Sequence, residues 1–253
     1  MTRVIKIGGR VQRDPGLAGA LLRLWRSAPG MLCVVHGGGE IVSALQTRLG
    51  VAPKFVEGRR VTTDEDIDVL RMALSGVANK RLVASLSAAG IPAVGVSGED
   101  GSLLIGRVMN ASVLGRVGEV VAVNDELPRA LVAAGFLPVI SPVAQDGASA
   151  GEALNVNADD AAAAIAASVE AEELLLISDV EGVIIEGEAA TSLSAAEAEY
   201  AIDNGIAKDG MATKLQAALD ALRRGVPQVR IGSLDALQNP MAGTTLAATP
   251  QLA

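Results

Sequence analysis

Lysines and carboxylates set beside glycine turns carry whatever chemistry this sequence performs. Lys6 interrupts a run of Val and Ile and stands just before Gly8-Gly9. An ammonium there is costly to bury unless it points from the strand end towards an anion; the alternative is an edge-strand lysine that discourages aggregation. His36-Gly37-Gly38-Gly39 joins a strand to a helix start. Glycines there let backbone N–H groups approach a ligand, and the helix terminus favours negative charge, although a tight turn without a ligand reads the same way. Neither GxGxxG nor GxxxxGK[ST] spacing occurs, so no dinucleotide or Walker fingerprint is present. Gly58-Arg59-Arg60-Val61-Thr62 offers two guanidinium forks suited to a carboxylate or phosphate, or a solvated basic pair. Asn155, Asn157 and Asp159 alternate along an extended segment and can project to one side; a helix N-cap explains one carboxylate but not the repeated asparagines. Ser178-Asp179-Val180-Glu181-Gly182-Val183 closes another apolar strand. Lys208-Asp209-Gly210-Met211 precedes a helix that places Lys214 in its first turn, the unfavourable end for a cation unless an anion binds there.

Short apolar runs and longer helical stretches alternate around these positions. Strands are predicted at 4–7, 31–35, 91–96, 137–140, 174–177 and 229–231, the last closing the set. Helices are predicted at 16–25, from Glu40 to a Gly50 cap, and at 64–76, 79–89, 125–134, 159–169 and about 211–224. Strands without in/out alternation, separated by helices, predict an α/β fold on a parallel sheet covered on both faces. Such sheets bind ligands at the carboxyl ends of their strands, where the glycine turns lie. Residues 147–151, Gly-Ala-Ser-Ala-Gly, are the best candidate for a lobe boundary or mobile loop.

Composition removes several alternatives. The chain has 253 residues, 50% of them apolar, only four aromatics (Trp25, Phe55, Phe136 and Tyr200) and a net charge of −8. A nucleic-acid binder would show basic surplus and stacking aromatics, and this chain has neither. Mean hydropathy is +0.38, yet no apolar run reaches the roughly 18–20 residues of a membrane span. Cys33 and His36 are the only residues of their kinds. Intrachain disulfides, thiolate zinc clusters and multi-histidine metal sites are thereby excluded. A soluble cytoplasmic protein is the expectation, with no nucleic-acid or membrane partner and no protein metal site.

In order along the chain, these segments resemble the amino acid kinase family, and within it its N-acetylglutamate kinases. The resemblance runs through 6–9, 35–39 and 58–62, then Gly76-Val77-Ala78-Asn79-Lys80, 94–101 and 115–119, and on through 155–159, 178–182, 209–214 and Met241-Ala242-Gly243-Thr244. It implies a three-layer αβα sandwich. Residues 1–153 would form a lobe for the acyl amino acid and for dimerisation, and residues 154–253 a lobe for ATP. The implied reaction moves the γ-phosphoryl group of ATP, carried with Mg²⁺, to the side-chain carboxylate of N-acetyl-L-glutamate. Lys6 and Lys214 would stabilise the transferring group and Asp159 would orient them. Gly9 would donate to phosphate, and Gly38, Gly39, Arg60 and Asn155 would hold the substrate. Asp179, Val180, Gly182, Val183, Ile206, Lys208 and Gly210 would border the nucleotide. The acceptor carboxylate, of pKa about 4.3, is already ionised at neutral pH, so no general base is required.

Two positions depart from the family pattern. Arg10 stands where a small or apolar residue is expected, and Arg59 where leucine is usual; either could tune the acyl site or admit a larger or carrier-linked substrate. Lys6 stands near the start, so no helical extension is expected before it, and the resemblance links that expectation to a homodimer insensitive to arginine. The competing readings are a kinase for carrier-linked aminoadipate or glutamate or for N-succinylglutamate, and a non-catalytic ATP-binding sensor.

Overall fold

Runs of Val, Ile and Leu too apolar to face water on either side are driven into the middle of a layered structure. The computed structural model describes residues 2–27, 32–56, 58–185 and 187–247. The chain opens with β1 (Arg3–Ile7), α1 (Leu17–Ser27), β2 (Leu32–His36) and α2 (Gly39–Arg48), followed by a small hairpin of β3 (Phe55–Val56) and β4 (Arg59–Arg60). Helix α3 (Asp64–Leu70) passes through a π-helical segment, Arg71–Ala78, into α4 (Asn79–Ala88). Next come β5 (Ala93–Ser97), β6 (Leu104–Val108), α5 (Ala111–Leu114), β7 (Val117–Val123), α6 (Glu126–Ala133), β8 (Leu137–Ser141), β9 (Val143–Asp146) and β10 (Ala153–Val156). The rest comprises α7 (Ala158–Ser168), β11 (Glu173–Ile177), the short strands β12 (Ile184–Ile185), β13 (Glu188–Ala189) and β14 (Ser192–Leu193), then α8 (Ala195–Asp203), α9 (Asp209–Arg223), β15 (Gln228–Gly232) and β16 (Thr244–Ala247).

Eight strands make one sheet in the order β14-β16-β15-β11-β1-β2-β8-β5. The six from β15 to β5 are parallel, and β16 runs antiparallel to β15. Successive residues of a strand point to opposite faces, and the two cores obey this. Val4, Cys33, Val35, Leu174 and Leu176 join one apolar cluster with α7 and α9. Ile5, Ile7, Val34, Leu175 and Ile177 join the other with α1 and α4. The result is the expected three-layer αβα sandwich. It also fixes where Lys6 points: on the Val4 side, towards α7 and α9. Strand β1 lies between β11 and β2, so Lys6 is central and the edge-strand alternative does not hold.

Most predicted elements form within a residue or two of their expected ends; Met31, in the second predicted strand, lies outside the described residues. The two helices expected at 64–76 and 79–89 are one continuous run, started by a Thr63–Asp66 capping box. The strand at Gln228–Gly232 does not close the sheet, because β16 adds to it.

The largest unanticipated feature is a closed four-stranded barrel, β10-β7-β6-β9. Two of its strands, β6 and β7, escape sequence patterning because glycines interrupt them. A Cβ on Gly106 or Gly118 would meet Leu154 at 2.9 or 2.7 Å, so both glycines make room for the leucine that fills the barrel. Residues 147–152 connect β9 to β10, which pair antiparallel.

Candidate active site

Lys6, Asp159 and Lys214 come from three different elements and meet below the sheet. Asp159 lies in the first turn of α7, whose Ala161, Ala162, Ala163, Ala164 and Ala166 are all buried. Small side chains let α7 pack close under β1 and against α9, and alanine has the best helix propensity. Asn157 caps this helix by accepting from the Asp159 N–H at 2.7 Å. Lys6 Nζ lies 2.8 Å from Asp159 Oδ1, and Lys214 Nζ lies 3.6 Å from Asp159 Oδ2. One carboxylate therefore spans two ammonium groups. Burial pushes the Asp159 carboxyl up, but the two lysines outweigh it and hold the group below its ordinary range. Burial lowers the Lys214 ammonium, with Asp159 opposing.

Lys214 is not in the first turn of its helix. Asp209, at φ 48°, opens α9 two residues earlier than predicted, so Lys214 falls in the second turn. Its unfavourable position on the helix dipole is met by Asp159 and by the Gly210 carbonyl, which accepts from Nζ at 3.5 Å.

Two cavities meet at Lys6, Gly9 and Gly39. The first, about 280 Å³, is bordered by Gly38, Arg59, Arg60, Asn155, Asn157 and Asp159, with Val42, Leu70, Leu74 and Val117 as its apolar wall. The alternating Asn155, Asn157 and Asp159 do project to one cavity. Arg60 is buried under Phe55, its guanidinium 4.7 Å from the ring centre. It donates to Gly39 O at 2.9 Å, to Ser43 Oγ at 2.7 Å and to Gln46 Oε1. Gln46 in turn donates to Asp66 at 2.6 Å. Burial lowers the Arg60 pKa while Asp66 supports the charge. All three direct acceptors are neutral, so the guanidinium keeps its charge available to a carboxylate in the cavity. Asn155 donates to Thr62 Oγ1 at 2.9 Å. A Cβ on Gly38 would meet Leu74 at 2.7 Å; glycine is what lets the loop lie against the π-helical segment.

The second cavity, about 270 Å³, is bordered by Gly8, Gly9, Arg10, Glu40, Ser178, Asp179 and Lys214 along with Lys6. The hydroxyl of Ser178 is buried without a hydrogen-bond partner among the described residues. Backbone bonds occupy the N–H groups of Gly8 and Gly37, whereas those of Gly9, Gly38 and Gly39 find no acceptor among the described residues. Unused donors converging with two ammonium groups suit a phosphate. Asp179 accepts from Arg10 at 2.8 Å, and that bond holds its carboxyl below the ordinary range.

The remaining sequence candidates border neither cavity. Val183 is buried, its N–H donating to Thr244 Oγ1 at 2.8 Å, and Gly182 packs on the same threonine. Ile206 is exposed, Lys208 is the N-cap residue of α9, Gly210 lies in its first turn, and Val180 follows Asp179 in the connection after β11. His36 is structural: its Nδ1–H donates to Gly37 O at 2.8 Å and its Nε2 accepts from Asn79 at 3.1 Å, the pattern of a neutral ring. Burial pushes its pKa down to about 4. Sequence reasoning did not single out Phe55, Gln46, Ser43 or Asp66. They act through Arg60, and only the demand of a buried guanidinium for partners could have pointed to them.

Comparison with known proteins gives the family. Residues 1–233 match the model of the amino acid kinase family. The acetylglutamate kinase of Rubrobacter xylanophilus is 42% identical over 250 residues, covering 96% of this chain and 94% of that protein. That of Chloroflexus aurantiacus is 42% identical over 238 residues, 93% of each. In structure, the protein smu.665 of Streptococcus mutans UA159 superposes with a TM-score of 0.88 at 26% identity, covering 98% of this chain and 99% of that one. With a two-chambered cation site at the carboxyl ends of a parallel sheet and matches along nearly its whole length, the chain belongs to the amino acid kinase family.

Proposed function

We propose that the protein is a phosphotransferase that moves the γ-phosphoryl group of ATP to the side-chain carboxylate of N-acetyl-L-glutamate, giving N-acetyl-L-glutamyl 5-phosphate, a step of arginine biosynthesis. The observation that carries this reading is the meeting of the two cavities at Lys6, with Asp159 tying Lys6 to Lys214 across the junction. The acyl amino acid occupies the first cavity, its α-carboxylate on the Arg60 fork and its amide beside Asn155. The triphosphate occupies the second, against the Gly9 N–H, Ser178 and Lys214. A carboxylate oxygen attacks the γ-phosphorus as the bond to the ADP oxygen breaks. Lys6 and Lys214 neutralise the charge spread over the equatorial oxygens, which is the main requirement of phosphoryl transfer. The donors facing this cavity are largely cationic and suit phosphate oxygens, so Mg²⁺ is assigned to the nucleotide, where it offsets further phosphate charge. Asp179, Val180, Gly182, Val183, Ile206, Lys208 and Gly210 are assigned to the nucleotide border.

The same reading divides the roles of the lobes, residues 1–153 for the acyl amino acid and dimerisation, and residues 154–253 for ATP. It places the protein in the cytoplasm as a homodimer. Among the described residues no helix is long and apolar enough to cross a membrane. Among the described residues strand β5 ends the sheet with one edge unpaired, and sedimentation equilibrium tests the dimer.

The activity is tested by trapping acyl phosphate as a hydroxamate with N-acetyl-L-glutamate, N-succinyl-L-glutamate and free glutamate compared. Turnover confined to the acetyl compound supports the reading. Silence with all three while ATP still binds replaces it with a carrier-linked substrate or a nucleotide sensor.

A further inference from the structure

Every cation facing the second cavity is already paired with a carboxylate: Lys6 and Lys214 with Asp159, and Arg10 with Glu40 and Asp179. An arriving polyphosphate can use the donors that the lysines still have, and it gains a further cation wherever one of these pairs opens. The pairs differ greatly in what holds them. The side chains of Lys6 and Lys214 are 7% and 15% exposed, and that of Asp159 is 5% exposed; that of Arg10 is 71% exposed. Exposed ion pairs contribute little to stability and exchange readily, whereas removing a partner from a buried carboxylate is expensive. Arg10 is therefore the cation free to move.

Its partners are arranged for that exchange. Arg10 Nη1 donates to Asp179 at 2.8 Å and Nε to Glu40 at 3.0 Å, so the guanidinium bridges the end of β11 and the start of α2 across the cavity mouth. Glu40 also pairs with Arg13 at 3.3 Å and keeps a counter-charge when Arg10 leaves. The planar fork of arginine matches two phosphate oxygens at once.

We propose that Arg10 is a third cationic phosphate-binding residue, held by Glu40 and Asp179 until a nucleotide polyphosphate takes over its guanidinium. This rests on the kinase reading above. It makes Arg10 a determinant of affinity for the phosphate chain and not for the base or the acyl amino acid.

The test is calorimetric binding of ATP, ADP and AMP, at one fixed Mg²⁺ concentration, to the wild type, Arg10→Ala, Arg10→Lys and Glu40→Gln. Arg10→Ala is expected to weaken ATP and ADP by about tenfold, the scale of one charge-assisted hydrogen bond, and to leave AMP nearly unchanged. Arg10→Lys should recover part of the loss. Glu40→Gln, which releases Arg10 from one anchor, should tighten ATP and ADP. A clasp that merely holds the two segments together predicts otherwise: all three nucleotides weaken alike in Arg10→Ala, and Glu40→Gln behaves as Arg10→Ala does. Either pattern, or wild-type ATP affinity in Arg10→Ala, overturns the proposal while the kinase reading stands. A wild type that binds no nucleotide overturns both.

Discussion

Asp159 does more than balance charge: by binding Lys6 through one oxygen and Lys214 through the other, it sets the spacing of two ammonium groups contributed by β1 and α9. Removing either lysine deletes one electrostatic donor. Lys6→Ala and Lys214→Ala are each expected to lower kcat by about 10²–10³, as steady-state hydroxamate assays would show, and to lower stability less than loss of the carboxylate does, because the buried Asp159 keeps one cationic partner. Asp159→Asn acts differently, because it leaves two sparsely exposed ammonium groups without their shared counter-charge. It should cost roughly 3–5 kcal/mol of unfolding free energy as well as activity. Urea melts decide the point: an Asp159→Asn protein as stable as the wild type would mean that solvent already satisfies both lysines. At this scale the sequence was informative wherever a polar residue broke an apolar context. Lys6 stood out in a Val/Ile strand, and it is buried there. Gln46 and Asp66 did not stand out, because on an amphipathic helix such residues look like any solvent-facing position until a guanidinium is found beside them.

Among the elements, the π-helical segment Arg71–Ala78 and the glycine loop before α2 are fitted to each other. The segment contributes Leu74 to the wall of the first cavity, and Gly38 lies too close to that leucine to carry a Cβ. Gly38→Ala should therefore displace the loop, raising KM for the acyl amino acid and costing about 1–3 kcal/mol, the usual penalty of overpacking. Gly38→Ala combined with Leu74→Ala should recover much of the KM loss, and a double-mutant cycle would measure the coupling. No recovery would place the defect in the backbone conformation instead of the contact. The parallel strands and their helices were legible because the hydrophobic period specifies them directly. The barrel was not: Gly106 and Gly118 contribute space and no apolar side chain, so its packing is written in Leu154, far along the chain. The π-helical turn escaped for a related reason, since its apolar spacing also suits an ordinary helix.

For the molecule as a whole, the buried His36 and the half-buried Asp160 titrate in opposite senses. His36 is pushed down from 6.5 to about 4, and Asp160, paired with Arg59 at 3.5 Å, is pushed up from 3.8 to about 6, chiefly by burial in both cases. Between pH 6.5 and 4 the unfolded chain protonates His36 first, so that group removes stability as pH falls. Between pH 6 and 3.8 the folded chain protonates Asp160 first, so that group restores stability over nearly the same range. Each effect is about 3 kcal/mol at full extent. Asp160→Asn should therefore raise stability at pH 7.5, change it little near pH 4, and make acid lability steeper in between. Urea melts across pH 4–8 would show this, and a uniform offset at every pH would remove Asp160 from the explanation. A different consequence follows from the central place of β1. The Thr2 N–H reaches a glutamate carboxylate 170 residues further along, and β11 pairs beside β1. On a ribosome β1 emerges well before β11 and must wait for the intervening elements before its second neighbour exists. Assembly of the lysine site thus waits for α9, and this topology favours slow, non-local folding. A nascent chain arrested before α7 would expose one edge of β1, with Lys6 lacking Asp159, making it a natural substrate for chaperones that capture unpaired strands.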